Sequence, residues 1–78
     1  MTPEQRTYHA RELRDNPVLA EVIARIEANA IDTMTFAKPA DHDGRQAAAA
    51  ELRAIRNFRD AVRTMADPPA MKTRTSVA

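Results

Sequence analysis

Five arginines crowd one stretch of this chain, at Arg45, Arg53, Arg56, Arg59 and Arg63. A guanidinium is permanently charged and offers a planar fork of donors that matches carboxylates and phosphates. On a helical wheel Arg45, Arg56, Arg59 and Arg63 fall along one flank, with Arg53 further round. Glu51 and Asp60 are the acidic groups among them, leaving a local balance of about +3. The preceding stretch has the opposite bias, with Glu21, Glu27 and Asp32 against Arg25. Two chemistries follow. The charges can pair across a helix–helix interface, as the flanking positions of coiled coils do. Exposed pairs of that kind contribute only ~0–1 kcal/mol each, yet they help decide which helices meet. Alternatively the arginine flank can face phosphate or an acidic partner. The whole chain carries a formal net charge of only +1. A nucleic-acid footprint would therefore have to come from segregation, and no helix-turn-helix, zinc-finger or RNA-recognition signature accompanies the arginines.

Other reactive side chains suggest less. Asp41-His42-Asp43 has the residue types of a metal or acid–base cluster, but three adjacent side chains on a loop do not converge easily, and Asp43 is expected to cap a helix. His9 lies beside Tyr8 on a short helix, where helix contact or solvent accounts for it. The single serine, Ser76, sits near the end of the chain, and Gly44 is the single glycine, so neither a serine triad nor a glycine-rich phosphate loop can be assembled. Cysteine is absent, which removes thiol nucleophiles, zinc–thiolate sites and disulfides. No enzyme activity, metal or cofactor is expected.

The elements that carry these residues read as helices. Abundant Ala, Arg, Glu and Leu, with one glycine, favour helix over strand. Thr2-Pro3-Glu4-Gln5 has a capping threonine, a proline at the first helical position and a glutamine placed for a capping box, predicting a short helix over about 3–14. Its apolar residues are only Tyr8, Ala10 and Leu13, so it must dock or fray. Asn16-Pro17 predicts a fresh start, with Asn16 the cap. Leu19, Val22, Ile23, Ile26, Ala30, Met34 and Ala37 then recur at helical spacing over about 17–37. Pro39 breaks the pattern, and Asp43 with Gln46 suggests a second capping box opening a helix over about 44–66. That helix carries Ala48, Leu52, Ile55, Phe58, Val62 and Met65. Asp67-Pro68-Pro69 ends it, and residues 67–78 are expected to form an extended or disordered tail.

The fold expected is therefore all-α: one domain over residues 1–66, an antiparallel hairpin of two long helices preceded by a short one. The loop is short enough to make the long helices antiparallel neighbours. Their main inward residues are expected to be Leu19, Val22, Ile23, Ile26, Met34, Leu52, Ile55, Phe58, Val62 and Met65. So few large side chains do not clearly outweigh the entropy of ordering the chain. Association is expected, with a second copy, in a ring, or on a larger protein, unless the first helix folds back over the seam. Val18, Ile31 and Phe36 fall off the centre of their stripe, and with Tyr8 they are the candidate partner-facing residues. Asn29, near the stripe, is a candidate for selecting register. No apolar run approaches the roughly 20 residues that cross a bilayer, and Met1-Thr2-Pro3-Glu4-Gln5 lacks the features of a signal peptide. No membrane association is expected, and a cytoplasmic setting is.

Asn16-Pro17-Val18-Leu19-Ala20-Glu21, followed by Gly44-Arg45-Gln46 through Leu52-Arg53-Ala54-Ile55, resembles short helical proteins encoded among the head and packaging genes of tailed phages, prophages and gene transfer agents. Those proteins pair an Asn/Asp-Pro helix start with a second helix opening at an acidic-x-Arg step. The resemblance covers roughly residues 11–66; Phe36, and the lack of tryptophan at the end of the second helix, depart from it. It implies protein–protein contacts in virion assembly or packaging, in the cytoplasm or the virion, with no catalytic residues to carry over. The alternative is a small nucleic-acid-binding or regulatory protein using Arg45, Arg53, Arg56, Arg59 and Arg63.

Overall fold

A computed structural model describes residues 1–68 and contains three helices, α1 (Pro3–Arg14), α2 (Pro17–Phe36) and α3 (His42–Ala66). The described residues contain no strand, so the chain is all-α, and α2 and α3 form the antiparallel hairpin expected from their stripes. The tail expected from residue 67 onward lies outside the described residues, apart from Asp67, which caps α3 by donating its backbone N–H to Arg63 O at 3.0 Å, and Pro68.

Local chemistry sets each helix start. Thr2 and Gln5 satisfy one another's backbone N–H groups at 2.9 and 3.1 Å, completing the capping box of α1. Asn16 Oδ1 accepts from the N–H groups of Val18 and Leu19 at 2.8 and 3.0 Å, and Pro17 occupies the first turn of α2. The start of α3 differs from expectation. It opens two residues early, at His42, and the cap is Asp41 rather than Asp43, with Asp41 Oδ1 accepting from Gly44 N at 2.9 Å. Asp43 instead lies in the first turn, where its charge meets the positive end of the helix dipole. The glycine belongs to this cap. A Cβ at Gly44 would collide with the Asp41 carboxylate in its capping position, so a larger residue there would displace the cap.

Small residues dominate what the helices bury. Ala10, Ala30, Ala48 and Ala66 are buried together with Ile23, and no large side chain is wholly enclosed. Alanines let helix axes approach closely but remove little apolar area from water. Leu19, Ile26, Met34, Leu52, Ile55 and Val62 are half-buried along the hairpin seam, as their spacing predicts. Val22, Phe58 and Met65 are not inward. They are exposed, because α2 and α3 meet along a narrower line than the full width of their apolar stripes.

The short helix α1 docks on α3 and scarcely touches α2. Arg11 Nε donates to the carbonyl of Ala66 at 2.8 Å, satisfying one of the free carbonyls at the end of α3. Ala10 and Ala66 are among the buried alanines of these two helices. The fold-back does not close the seam. A cleft of about 250 Å³ remains between Leu13 of α1, Leu19 and Ile23 of α2, and Val62 of α3.

Two substitutions follow from these contacts. Asn16→Ala is expected to cost about 1 kcal/mol and Asn16→Gly only a few tenths, measured by urea unfolding. Ala30→Leu, at the most enclosed position of α2, is expected to cost about 1–3 kcal/mol by forcing the helices apart.

Candidate interaction surface

The hairpin has two unlike sides, and the charged one is largely self-satisfied. Glu27, on α2, receives two arginines of α3. Arg56 Nε donates to Glu27 Oε2 at 3.0 Å, and one Arg59 NH group reaches both carboxylate oxygens at 3.2 and 3.3 Å. The Glu27 side chain keeps only 19% of its exposure, and these donors hold its carboxyl below the usual carboxylate range. The hydrogen bond from Arg56 is the largest cause, opposed by the cost of removing the carboxylate from water. Arg59 lies close to the apolar stripe of α3, which explains why its Nε is enclosed without an acceptor. Asp60 Oδ1, at 3.9 Å, is too far for a hydrogen bond.

Arg45 is engaged in a different way. Its guanidinium donates to the carbonyls of Lys38 and Pro39 at 2.7 and 2.8 Å and lies 3.0 Å from His42 Nδ1. It thereby ties the loop after α2 to the first turn of α3. Of these five arginines, Arg53 and Arg63 are the two whose side chains make no ion pair or hydrogen bond among the described residues, and both are exposed. The flank is thus divided, with three guanidinium groups held by the hairpin's own carboxylate and carbonyl oxygens. Nearby, Asp41 caps α3 and His42 contacts Arg45; no group of His, Cys, Asp and Glu able to hold a metal occurs among the described residues.

The other side of the hairpin is apolar and uncovered. Val18, Val22 and Ile26 follow one another at four-residue steps along α2, while Ile55, Phe58 and Met65 share a flank of α3. Ile26 and Asn29 of α2, with Glu51, Ala54, Ile55 and Phe58 of α3, line a shallow groove. Val18 is 69% exposed and Phe58 46%, and Val22 and Met65 are similarly open. Scattered single apolar residues are ordinary on a protein surface, whereas these are grouped on two adjacent helices.

All four partner-facing candidates are exposed, but they do not lie together. Val18 and Phe36 are five turns apart on the same side of α2, at opposite ends of the hairpin. Ile31 lies on a different flank of α2, and Tyr8 is on α1, its ring edge-on to His9. Of the four, Val18 alone adjoins the row formed by Val22, Ile26, Ile55, Phe58 and Met65, residues that periodicity assigns to the core. The signal that could have separated them is stripe width. Both long helices carry apolar residues over a broader arc than one neighbour can cover.

The Glu27 contacts give a pH-dependent outcome. Because its carboxyl titrates lower in the folded chain than in the unfolded one, its stabilisation is present above the ordinary carboxylate range and disappears as pH falls through the folded value. Glu27→Gln is therefore expected to lower the melting temperature at neutral pH. Melting curves should show the gap between wild type and variant closing as the solution is made strongly acidic. Comparison with models of protein families, with curated proteins and with solved structures finds nothing that matches this chain.

Proposed function

We propose that this chain is a non-enzymatic helical protein that works by protein–protein contact, with the open face of the α2–α3 hairpin as its working surface. The observation that carries the reading is the exposure of Val18, Val22, Phe58 and Met65 on two adjacent helices whose enclosed residues are one isoleucine and small alanines. Such a face lowers its free energy when an apolar partner excludes water from it. No helix among the described residues is long and apolar enough to cross a membrane. The resemblance to short helical proteins of phage head and packaging genes suggests virion assembly or packaging as the setting, in the cytoplasm or in the virion.

The nucleic-acid reading has less support. Phosphate binding draws on free guanidinium groups, and Arg45, Arg56 and Arg59 already have acceptors inside the hairpin. Arg53 and Arg63 remain, too few and too far apart along α3 to match a phosphate backbone by themselves.

Chemical cross-linking in native lysate tests the proposal, comparing wild type with Val22→Asp and Phe58→Asp. Both positions are exposed, so helicity by circular dichroism should be retained. The wild-type chain is expected to give discrete adducts, with itself or with another protein, that both substitutions abolish. Adducts unchanged by either substitution would refute the assigned face.

A further inference from the structure

The two histidines of this chain bond in opposite senses through the same ring atom. His9 Nδ1 lies 2.9 Å from Glu12 Oε1, and His42 Nδ1 lies 3.0 Å from Arg45 Nη2. An ionised carboxylate can only accept a hydrogen bond, and a guanidinium can only donate one. His9 therefore carries a hydrogen on Nδ1, whereas Nδ1 of His42 is bare. We infer that the α2–α3 turn is a proton-operated latch, in which neutral His42 helps to hold Arg45 across the turn and protonated His42 releases it.

Three observations carry the inference. The first is what Arg45 closes. Its Nη1 donates to Lys38 O at 2.7 Å and its Nη2 to Pro39 O at 2.8 Å, so the guanidinium resting on His42 also ties down the loop. The backbone adds two bonds there, from Asp41 N to Lys38 O at 2.9 Å and from His42 N to Ala40 O at 3.0 Å. α2 ends at Ala37 in extended backbone, with no basic residue in its last turn. Arg45 is the one side chain that bonds the loop carbonyls among the described residues.

The second is the count of hydrogens. Nη2 has two, and Pro39 O and His42 Nδ1 take one each. With Nη1 on Lys38 O, three acceptors fix the plane of the guanidinium. A proton on Nδ1 removes one acceptor and places a like charge against the guanidinium, so the contact is lost.

The third is the surroundings of the ring. His42 is the first residue of α3, where positive charge opposes the helix dipole. Lys38 and Arg45 are the cations of the turn, and Asp41 and Asp43 flank the ring in sequence. Asp41 Oδ1 is taken by Gly44 N, and neither carboxylate bonds Arg45. The last turn of α2, residues 33–36, adds no charge. His42 is thus the one titratable acceptor of Arg45 among the described residues. The ring is exposed, and imidazole is the side chain that changes charge between about pH 5 and 8, so mild acid opens the latch. His9 is an internal control, because protonation leaves its Nδ1 hydrogen and the bond to Glu12 in place.

Nuclear magnetic resonance on the full chain, labelled with nitrogen-15, tests each step. With both rings neutral, His9 is expected to carry its hydrogen on Nδ1 and His42 on Nε2. As the rings become protonated, rotation of the Arg45 guanidinium about its Nε–Cζ bond is expected to speed up by about two- to tenfold. Arg59, held by Glu27, should rotate at an unchanged rate over the same range. His42→Ala should give the faster Arg45 rotation at every pH, since its acceptor is missing throughout. A hydrogen on Nδ1 of neutral His42, or Arg45 rotation indifferent to the charge of the ring, would overturn the latch. So would a His42→Ala chain in which Arg45 still responds to pH. The partner-contact reading would stand in each case, because the turn contains none of Val18, Val22, Phe58 and Met65.

Discussion

Alanines set how near the three helices approach one another, and most features of the molecule follow from that closeness. Ala10 and Ala66 are buried in α1 and α3, and Ala30 and Ala48 in α2 and α3. Such residues bring helix backbones together at little entropic cost, because alanine has no rotamers to lose. They also bury little area, so the free energy gained from excluding water is modest. The larger side chains are displaced to the margins of each contact. Leu19, Ile55 and Val62 are half-covered there, while Val22, Phe58 and Met65 stay in water. A thin interior and an open apolar face are two consequences of the same helix spacing.

Polar contacts do what the interior does not, which is to specify arrangement. The caps at Thr2, Asn16 and Asp41 define where each helix begins. Arg45, bonded to the Lys38 and Pro39 carbonyls, orients the turn, and Arg11, bonded to Ala66 O, directs α1 onto α3. Glu27 with Arg56 and Arg59 is the one ion-pair cluster that spans the hairpin among the described residues. Partly exposed charge contacts of this sort contribute little stability singly, but a hairpin slipped by one turn would leave Glu27 opposite the wrong partners. They act as a register device on the side of the hairpin that the apolar row does not occupy. The division leaves one side closed by its own charges and the other available.

Arginine clustering admits two readings along the chain, and the Glu27 pairs with Arg56 and Arg59 agree with the one in which charges meet across the hairpin. Five guanidinium groups within a short stretch read as a cationic surface when counted along the chain. Folded, the same groups meet Glu27, two loop carbonyls and solvent, and only Arg53 and Arg63 retain the full freedom of a surface charge. A helical wheel reports direction around one axis and does not show which acceptors another helix brings to that direction. Asp41 and Asp43 make the same point on a smaller scale. Both have the right chemistry for a cap, and the choice went to Asp41 because Gly44 leaves space for its carboxylate to reach the backbone.

What the amino-acid order determined by itself is local: helical content, the breaks at Asn16-Pro17 and Pro39, two of the three caps, and the presence of two amphipathic stripes. Those properties depend on neighbours within about one turn, through proline's missing N–H, side-chain caps and a 3.6-residue repeat. Only the tertiary structure decided which part of each stripe is covered. It sent α1 to α3 instead of over the seam, placed Val22, Phe58 and Met65 outside, and spent Arg45, Arg56 and Arg59 inside the hairpin. Periodicity gives the direction in which a side chain points along its own helix, whereas burial depends on how close and at what rotation a second helix arrives, and here alanines distant in the chain govern that approach.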